Sequence, residues 1–294
     1  YPEIGMSHFT YLLSLSRLAL VQVATHGHPN TSGSNEIDYF ISCDNYETKN
    51  SDEFYSERLV KLTRIPSDYK IPVKKESNFN FSSLKLTKDS ILLGIPHSPF
   101  KFHPDYDPIL DKILEEIPNS FLIFAESTIK LQTEQLKHRW ETSTKLISSR
   151  TIFLDRLKFN DYLEMIGSLD ILLDPFYFGM GNTFYEAMAF NIPVVTMPTK
   201  HMKSRFAFAA YKQMEIKNAP IAASSNDYIS IIKRLVFDIS YRKGIKSQIK
   251  SKYKTHLFND KGIYKEYIKF FEASIIAAEN NTLLPKDWKP MINL

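Results

Sequence analysis

The chain of 294 residues holds one cysteine, Cys43, so no disulfide can form within it. A reducing compartment is therefore expected, and cytoplasmic is the localisation inferred. No apolar run approaches the ~20 residues that span a bilayer. The opening Tyr-Pro-Glu-Ile-Gly-Met lacks the basic-then-apolar plan of a signal peptide. An opening without Met leads us to expect that this segment starts within a longer protein. Charge of one sign is also scarce: the formal net charge is +4, spread along the chain. A nucleic-acid binder usually concentrates its basic residues in a patch or stripe, so no nucleic-acid partner is expected. Solenoid-type internal repeats are missing too. His26, His28, His97 and His103 have no cysteine or carboxylate around them at ligand spacing, so no metal and no cofactor are expected. Asp105-Tyr106-Asp107 looks like a metal-binding Asp-x-Asp, but after Pro104 it reads as a helix opening, where acids favour the dipole.

What is present is ordinary globular material, 43% hydrophobic and 24% charged, with 21 Phe and 16 Tyr to fill a core. The middle of the chain alternates short β-rich apolar runs with amphipathic stretches. Strands are predicted at Ile91–Gly94, Phe121–Ala125, Thr151–Leu154, Asp170–Asp174 and Val194–Met197. Helices are predicted at Tyr106–Glu116, Leu131–Glu141, Asn160–Gly167, Asn182–Phe190 and Lys203–Met214. That alternation predicts an α/β fold with a doubly wound parallel sheet. Further helices follow at Asp227–Asp238, Tyr241–Tyr253 and Lys261–Ala278, then a surface tail, Pro285–Leu294. Before the sheet lies a separate module, with an amphipathic helix at Phe9–Leu20 and strands at Val21–Thr25 and Ile37–Ser42. The resulting division is 1–75 for the first module, 76–90 for a polar linker, 91–260 for the large domain, and 261–294 for a helix and tail.

Two strand-to-helix turns carry the chemistry. In the run Asp174 to Glu186, Gly179 and Gly181 permit close backbone approach, and a helix opens at Asn182–Thr183. Free N–H groups there favour a phosphate. Glu186, a turn further on, reads either as an anchor for ribose hydroxyls or as a solvated acid. The second turn, Gly94 to Pro104, follows a strand at the end where open α/β sheets bind ligands. Its Lys101 reads either as the neutraliser of a diphosphate or as one more exposed lysine. Arg205 reads as a phosphate contact or as a structural ion pair, and Cys43 as a small core hydrophobe.

Several ordered blocks together resemble the O-GlcNAc transferase and SPINDLY family. They are "YPEIGM" at 1–6, "RLALVQ" at 17–22, "HPNTSGSNEIDYFIS" at 28–42, the run from Gly94 to Ser120, "FLDRL" at 153–157, residues 170–198, and "SRFAFAAYKQM" at 204–214. The resemblance implies a GT-B architecture, in which a donor domain and a partial Rossmann-like first domain face each other across a cleft and the helix and tail at 261–294 pack back on the first module. It also implies inverting sugar transfer from a nucleotide sugar to a protein or peptide. UDP-GlcNAc is the favoured donor and a Ser or Thr hydroxyl the acceptor, with GDP-fucose and UDP-glucose as alternatives. The resemblance places Ser98, Lys101, Arg156, Leu157, Gly181, Asn182, Thr183 and Glu186 on the donor. His26, Gly27 and His28 fall on the acceptor and sugar side, with Lys101 and His28 as catalytic candidates. Gly181 stands where animal members have His, and Ser98 where they have Gln. The family's helical repeats and the first part of its catalytic region have no counterpart here. A non-catalytic module that binds a nucleotide sugar or a partner protein is thus the competing expectation.

Overall fold

The computed structural model describes residues 1–73, 75–80, 84 and 86–291. Of the expected linker, residues 81–83 and 85 lie outside the described residues, as do 292–294 of the expected surface tail. The chain divides into two compact units. Unit 1 comprises Tyr1–Tyr69, Lys200–Arg205 and Asn259–Leu294; unit 2 comprises Lys70–Thr199 and Phe206–Phe258.

Unit 1 opens with a short helix, α1 (His8–Leu13), followed by β1 (Val23–Thr25), β2 (Tyr39–Cys43) and β3 (Arg58–Leu62). The three strands form a parallel sheet in the order β1-β2-β3. The apolar pattern over Phe9–Leu20 predicts a longer helix than is found. The chain leaves the helix at Ser14, whose hydroxyl donates to the carbonyl of Tyr11 (2.6 Å). Beyond it, the Gln22 amide takes over the local hydrogen bonding, donating to Ser16 O (3.1 Å) and accepting from Leu18 N (3.1 Å). Such side-chain bonding competes with helical continuation. No residue of α1 is buried, so packing does not favour extending it. Strand β3 escapes the alternation rule because Arg58 and Lys61 interrupt its apolar residues, yet Leu59, Val60 and Leu62 are all buried.

Unit 2 runs β4 (Ile91–Gly94), α2 (Asp107–Glu116), β5 (Ser120–Ala125), α3 (Lys130–Ser143), α4 (Ile147–Arg150), β6 (Thr151–Leu154), α5 (Phe159–Gly167), β7 (Ile171–Leu173), α6 (Asn182–Ala189), β8 (Val194–Val195), α7 (Phe206–Gln213), α8 (Ser225–Phe237) and α9 (Ile239–His256). Its five strands are all parallel in the order β6-β5-β4-β7-β8. The order reverses between β4 and β7, which makes the crevice beyond their carboxyl ends the topological switch point. The expected helix Lys203–Met214 is divided. Residues Met202–Ser204 form a 3-10 turn within unit 1, and α7 starts only at Phe206 in unit 2.

Aromatic packing fixes the region behind the switch point. Trp140 of α3 is fully buried, edge-on to Phe102 (5.5 Å between centroids) and against Phe153 (6.1 Å). Its indole N–H donates to Asp107 (2.9 Å), which also pairs with Arg139 (2.8 Å). Asp107 is therefore committed to a buried polar cluster at the start of α2.

The last helix of unit 1, α10 (Gly262–Glu279), lies on its sheet. Ile263 and Phe270 pack with Tyr39, Ile41, Val60, Leu62 and Leu284 in one core. Tyr39 and Phe270 meet edge to face at 5.3 Å. Glu266, fully buried, accepts from both the backbone N–H (2.8 Å) and the hydroxyl of Thr63. A polar group so enclosed costs free energy unless it has such hydrogen-bond partners.

Candidate active site

Because β4 and β7 are neighbours, the loops that leave their carboxyl ends emerge side by side. After β4 the chain makes a 3-10 turn, Pro99–Lys101. After β7 it descends through Asp174 and doubles back at Gly179 into α6. The two loops touch directly: the Lys101 ammonium donates to the carbonyl of Gly179 (2.8 Å) and sits 4.3 Å above the Phe178 ring. Lys101 is thus a largely enclosed cation. Burial lowers its pKa from the ordinary lysine value, and the nearby Asp174 carboxylate acts against that shift.

Asp174 is fully buried, and burial pushes its carboxyl up to about 7. It accepts from the backbone N–H of Met180 (2.6 Å) and from the Thr196 hydroxyl (2.7 Å). This carboxylate is why residue 179 is glycine. A Cβ there would lie 2.9 and 3.0 Å from the two Asp174 oxygens. Gly179 therefore serves an internal fit, whereas a Cβ at Gly181 would meet nothing within 4 Å. Gly181 faces open space at the start of α6, and no side chain caps that helix. Its first N–H groups, at Asn182 and Thr183, belong to the uncapped turn that attracts anions.

A pocket of about 150 Å³ opens on the other flank of β4, lined by Pro96, His97, Ser98, Ala125, Glu126, Ser127, Arg156, Leu157 and Tyr162. It gathers three of the residues expected on the donor: Ser98, Arg156 and Leu157. Tyr162 of α5 connects this pocket to α6, because its hydroxyl lies 3.2 Å from the Thr183 hydroxyl. The same hydroxyl hydrogen-bonds Glu186, which is half-buried and whose pKa is raised by burial. Glu186 is accordingly a partly desolvated acid with a defined partner. Tyr162 and Asp174 were not singled out from sequence as site residues. The signal available for Asp174 was its place at the end of a buried strand; Tyr162 offered none.

The histidines separate in role. His97 is buried, bonds Leu173 O through Nε2 (2.8 Å), and has its pKa pushed down to about 3 by burial. It supports the loop as a neutral ring. His26, Gly27 and His28 all belong to unit 1. His26 bonds Ser67 (2.7 Å) and is held near pKa 4 by burial. The His28 ring packs on Gly5, where a Cβ would fall 2.1 Å from its Nε2, and burial lowers its pKa. Arg205 also lies in unit 1, against Asn45 O (3.5 Å) and near Glu47. Cys43 is buried, with its thiol pushed up to about 12 by burial. Asp105 accepts from Tyr177 (2.7 Å) and Asp107 is held by Arg139 and Trp140, so the Asp-x-Asp pair is spent on structure. Among the described residues no group of three or more His, Cys, Asp or Glu is placed to hold a metal ion. Among them too, no helix is long and apolar enough to cross a membrane.

Comparison with known proteins bears on family and fold. A UDP-glucose:protein N-beta-glucosyltransferase of Actinobacillus pleuropneumoniae serotype 5b is 23% identical over 238 residues, covering 80% of this chain and 37% of that protein. A probable UDP-N-acetylglucosamine–peptide N-acetylglucosaminyltransferase SPINDLY of Hordeum vulgare is 22% identical over 246 residues, 80% of this chain and 25% of its own length. The chain thus spans between a quarter and two-fifths of these curated relatives. A solved O-GlcNAc transferase variant from Thermobaculum terrenum superposes with a TM-score of 0.67 at 21% identity, over 80% of this chain and 45% of that one, a likeness of fold that makes the architecture GT-B. The model for glycosyl transferase family 41 matches residues 80–268, well over half of the sequence, and the chain belongs to that family.

Proposed function

We propose that unit 2 binds the nucleoside diphosphate portion of a nucleotide sugar and that the protein transfers the sugar, with inversion, to a Ser or Thr hydroxyl of a protein or peptide. One observation carries this reading: the Lys101 ammonium lies on the glycine turn that leads into the uncapped start of α6. In the reaction the acceptor oxygen attacks the anomeric carbon, the bond to the diphosphate breaks, and its electron pair leaves with the diphosphate. Lys101 and the α6 N–H groups stabilise that growing charge as donors already in place. The hydroxyl-bonded pair Tyr162–Glu186 offers a carboxylate for ribose hydroxyls, and the pocket at Ser98, Arg156 and Leu157 offers room for the base. His28 of unit 1, neutral at physiological pH because burial lowers its pKa, has the protonation state a general base needs.

UDP-GlcNAc is the donor we favour, and it accords with the name of the barley relative; UDP-glucose is the second reading, after the Actinobacillus relative. GDP-fucose remains a third arm of the test. Charge neutralisation by Lys101 and the helix start needs no divalent ion, so we propose that transfer is metal-independent. The test incubates the protein with each of the three donors and a peptide library, with and without EDTA, and reads transferred mass by mass spectrometry. Transfer of N-acetylhexosamine, unchanged by EDTA, is expected. Binding of UDP without hydrolysis or transfer from any donor would replace the enzyme reading with that of a binding module.

A further inference from the structure

A single peptide unit, Gly179–Met180, is held at both ends by ionisable side chains, the half-buried Lys101 and the buried Asp174. Its carbonyl accepts from the Lys101 ammonium (2.8 Å), and its N–H donates to the Asp174 carboxylate (2.6 Å). At 179 a Cβ would crowd that carboxylate, 2.9 and 3.0 Å from its two oxygens. The Thr196 hydroxyl completes the cradle from the strand side, and Tyr228 donates to the Asp174 backbone carbonyl (3.1 Å). Removing a charge from water into such a position is costly unless it is matched. Asp174 does not touch the open space in front of α6. Its reach into the site is entirely through this peptide and through Lys101.

We propose that Asp174 is a positioning residue of the donor site, fixing the glycine turn against Lys101 and holding that lysine in its cationic form for an anionic ligand. The proposal rests on the donor-site reading above. The surroundings make it testable by pH. The groups facing Lys101 and Asp174 are His97, from the loop after β4, and Tyr106, Tyr211 and Tyr228. His97 is pushed down to about 3 by burial, and burial raises all three tyrosines, so none of them changes charge between pH 6 and 9.5. Asp174 and Lys101 are left as the titrating pair. At pH 6 the Asp174 carboxyl, whose pKa is about 7, is mostly protonated even in the native protein. Above pH 7 its charge offsets the burial that lowers the Lys101 pKa.

The experiment measures binding of UDP and GDP by calorimetry at pH values from 6 to 9.5, on wild type and Asp174→Asn, with thermal unfolding as a check of folding. Asparagine still accepts from Met180 N–H, so the turn is kept and only the charge is lost. The two proteins should bind alike at pH 6. The variant's affinity should then fall at lower pH than wild type's, so that wild type binds at least about tenfold more tightly at pH 9.5. Thr196→Val, which removes one donor from the carboxylate, should show a smaller displacement in the same direction and serves if Asp174→Asn does not fold. A constant ratio of affinities across the pH range, with either folded variant, overturns the proposal and leaves the donor site standing. Wild type that binds neither diphosphate at any pH overturns both.

Discussion

At the scale of single residues, burial decides the chemistry more than identity does. Glu186 and Lys101 each had a solvated reading, and each turns out to be partly desolvated with a named partner: Tyr162 for the acid, Gly179 O for the lysine. Tyr162→Phe removes the hydroxyl that lies between Thr183 and Glu186. If Glu186 holds the ribose, the change should weaken UDP and uridine alike, by about 5- to 10-fold, the worth of one typical hydrogen bond. Equal affinities for both ligands in the variant and wild type, by calorimetry, would detach Tyr162 from the site. Asp174 also leaves a mark on stability. Its folded pKa of about 7 lies above the ordinary carboxyl value of 3.8, so the folded state binds the extra proton between those limits. Stability from this group is therefore full below pH 4 and declines as pH rises to 7, by roughly 4 kcal/mol at most. His97 acts in the opposite sense, since a ring held neutral to about pH 3 loses stability as pH falls below its unfolded value. Asp174→Asn should accordingly raise the melting temperature at pH 8 relative to wild type, and the gain should vanish by pH 4. A melting temperature at pH 8 below that of wild type would show that Asp174 is stabilising as an anion. Lys101 was a candidate in the sequence because it follows a strand at its carboxyl end, and the family resemblance chose the diphosphate reading over a solvated lysine. The clamp on Gly179–Met180 was not legible there, since it joins residues 78 positions apart through a strand order that periodicity does not encode.

At the scale of elements, periodicity located most of the α/β alternation, with bounds displaced by up to three residues. It failed where apolar residues are exposed. Phe9 and Leu12 are 72% and 64% exposed, so the pattern over Phe9–Leu20 has no core to meet and the helix ends at Leu13. Strand β3 went unread because a strand crowded with Arg58 and Lys61 shows its apolar face only once β2 is beside it. The contrast yields a stability prediction. Leu12→Ser should change the unfolding free energy by no more than about 0.5 kcal/mol. Trp140→Ala should cost about 3–5 kcal/mol, because it opens a cavity among Phe102, Phe124 and Phe153 and strips a donor from buried Asp107. Chemical denaturation of both variants checks the pair; a Trp140→Ala loss under 1 kcal/mol would contradict the packing described.

At the scale of the whole molecule, unit 1 depends on a helix from the far end of the chain. Helix α10 supplies Ile263 and Phe270 to the core over β2 and β3, and Glu266 to Thr63. A chain ending at Asp260 should lose amide protection in β2 and β3 under hydrogen exchange while β4 to β7 keep theirs. Retained protection in β2 and β3 would show that the sheet stands without α10. Unit 2 carries the donor site, and the role of Lys101 there is tested by comparing UDP with uridine on wild type and Lys101→Ala. If the ammonium on the glycine turn meets the diphosphate, the variant should bind UDP about 10- to 100-fold more weakly, the worth of a hydrogen bond to a charged group. Its uridine affinity should stay near that of wild type, with thermal unfolding confirming that the variant folds. Equal UDP affinity in the two proteins, with wild type binding measurably, would remove Lys101 from the site and contradict the account.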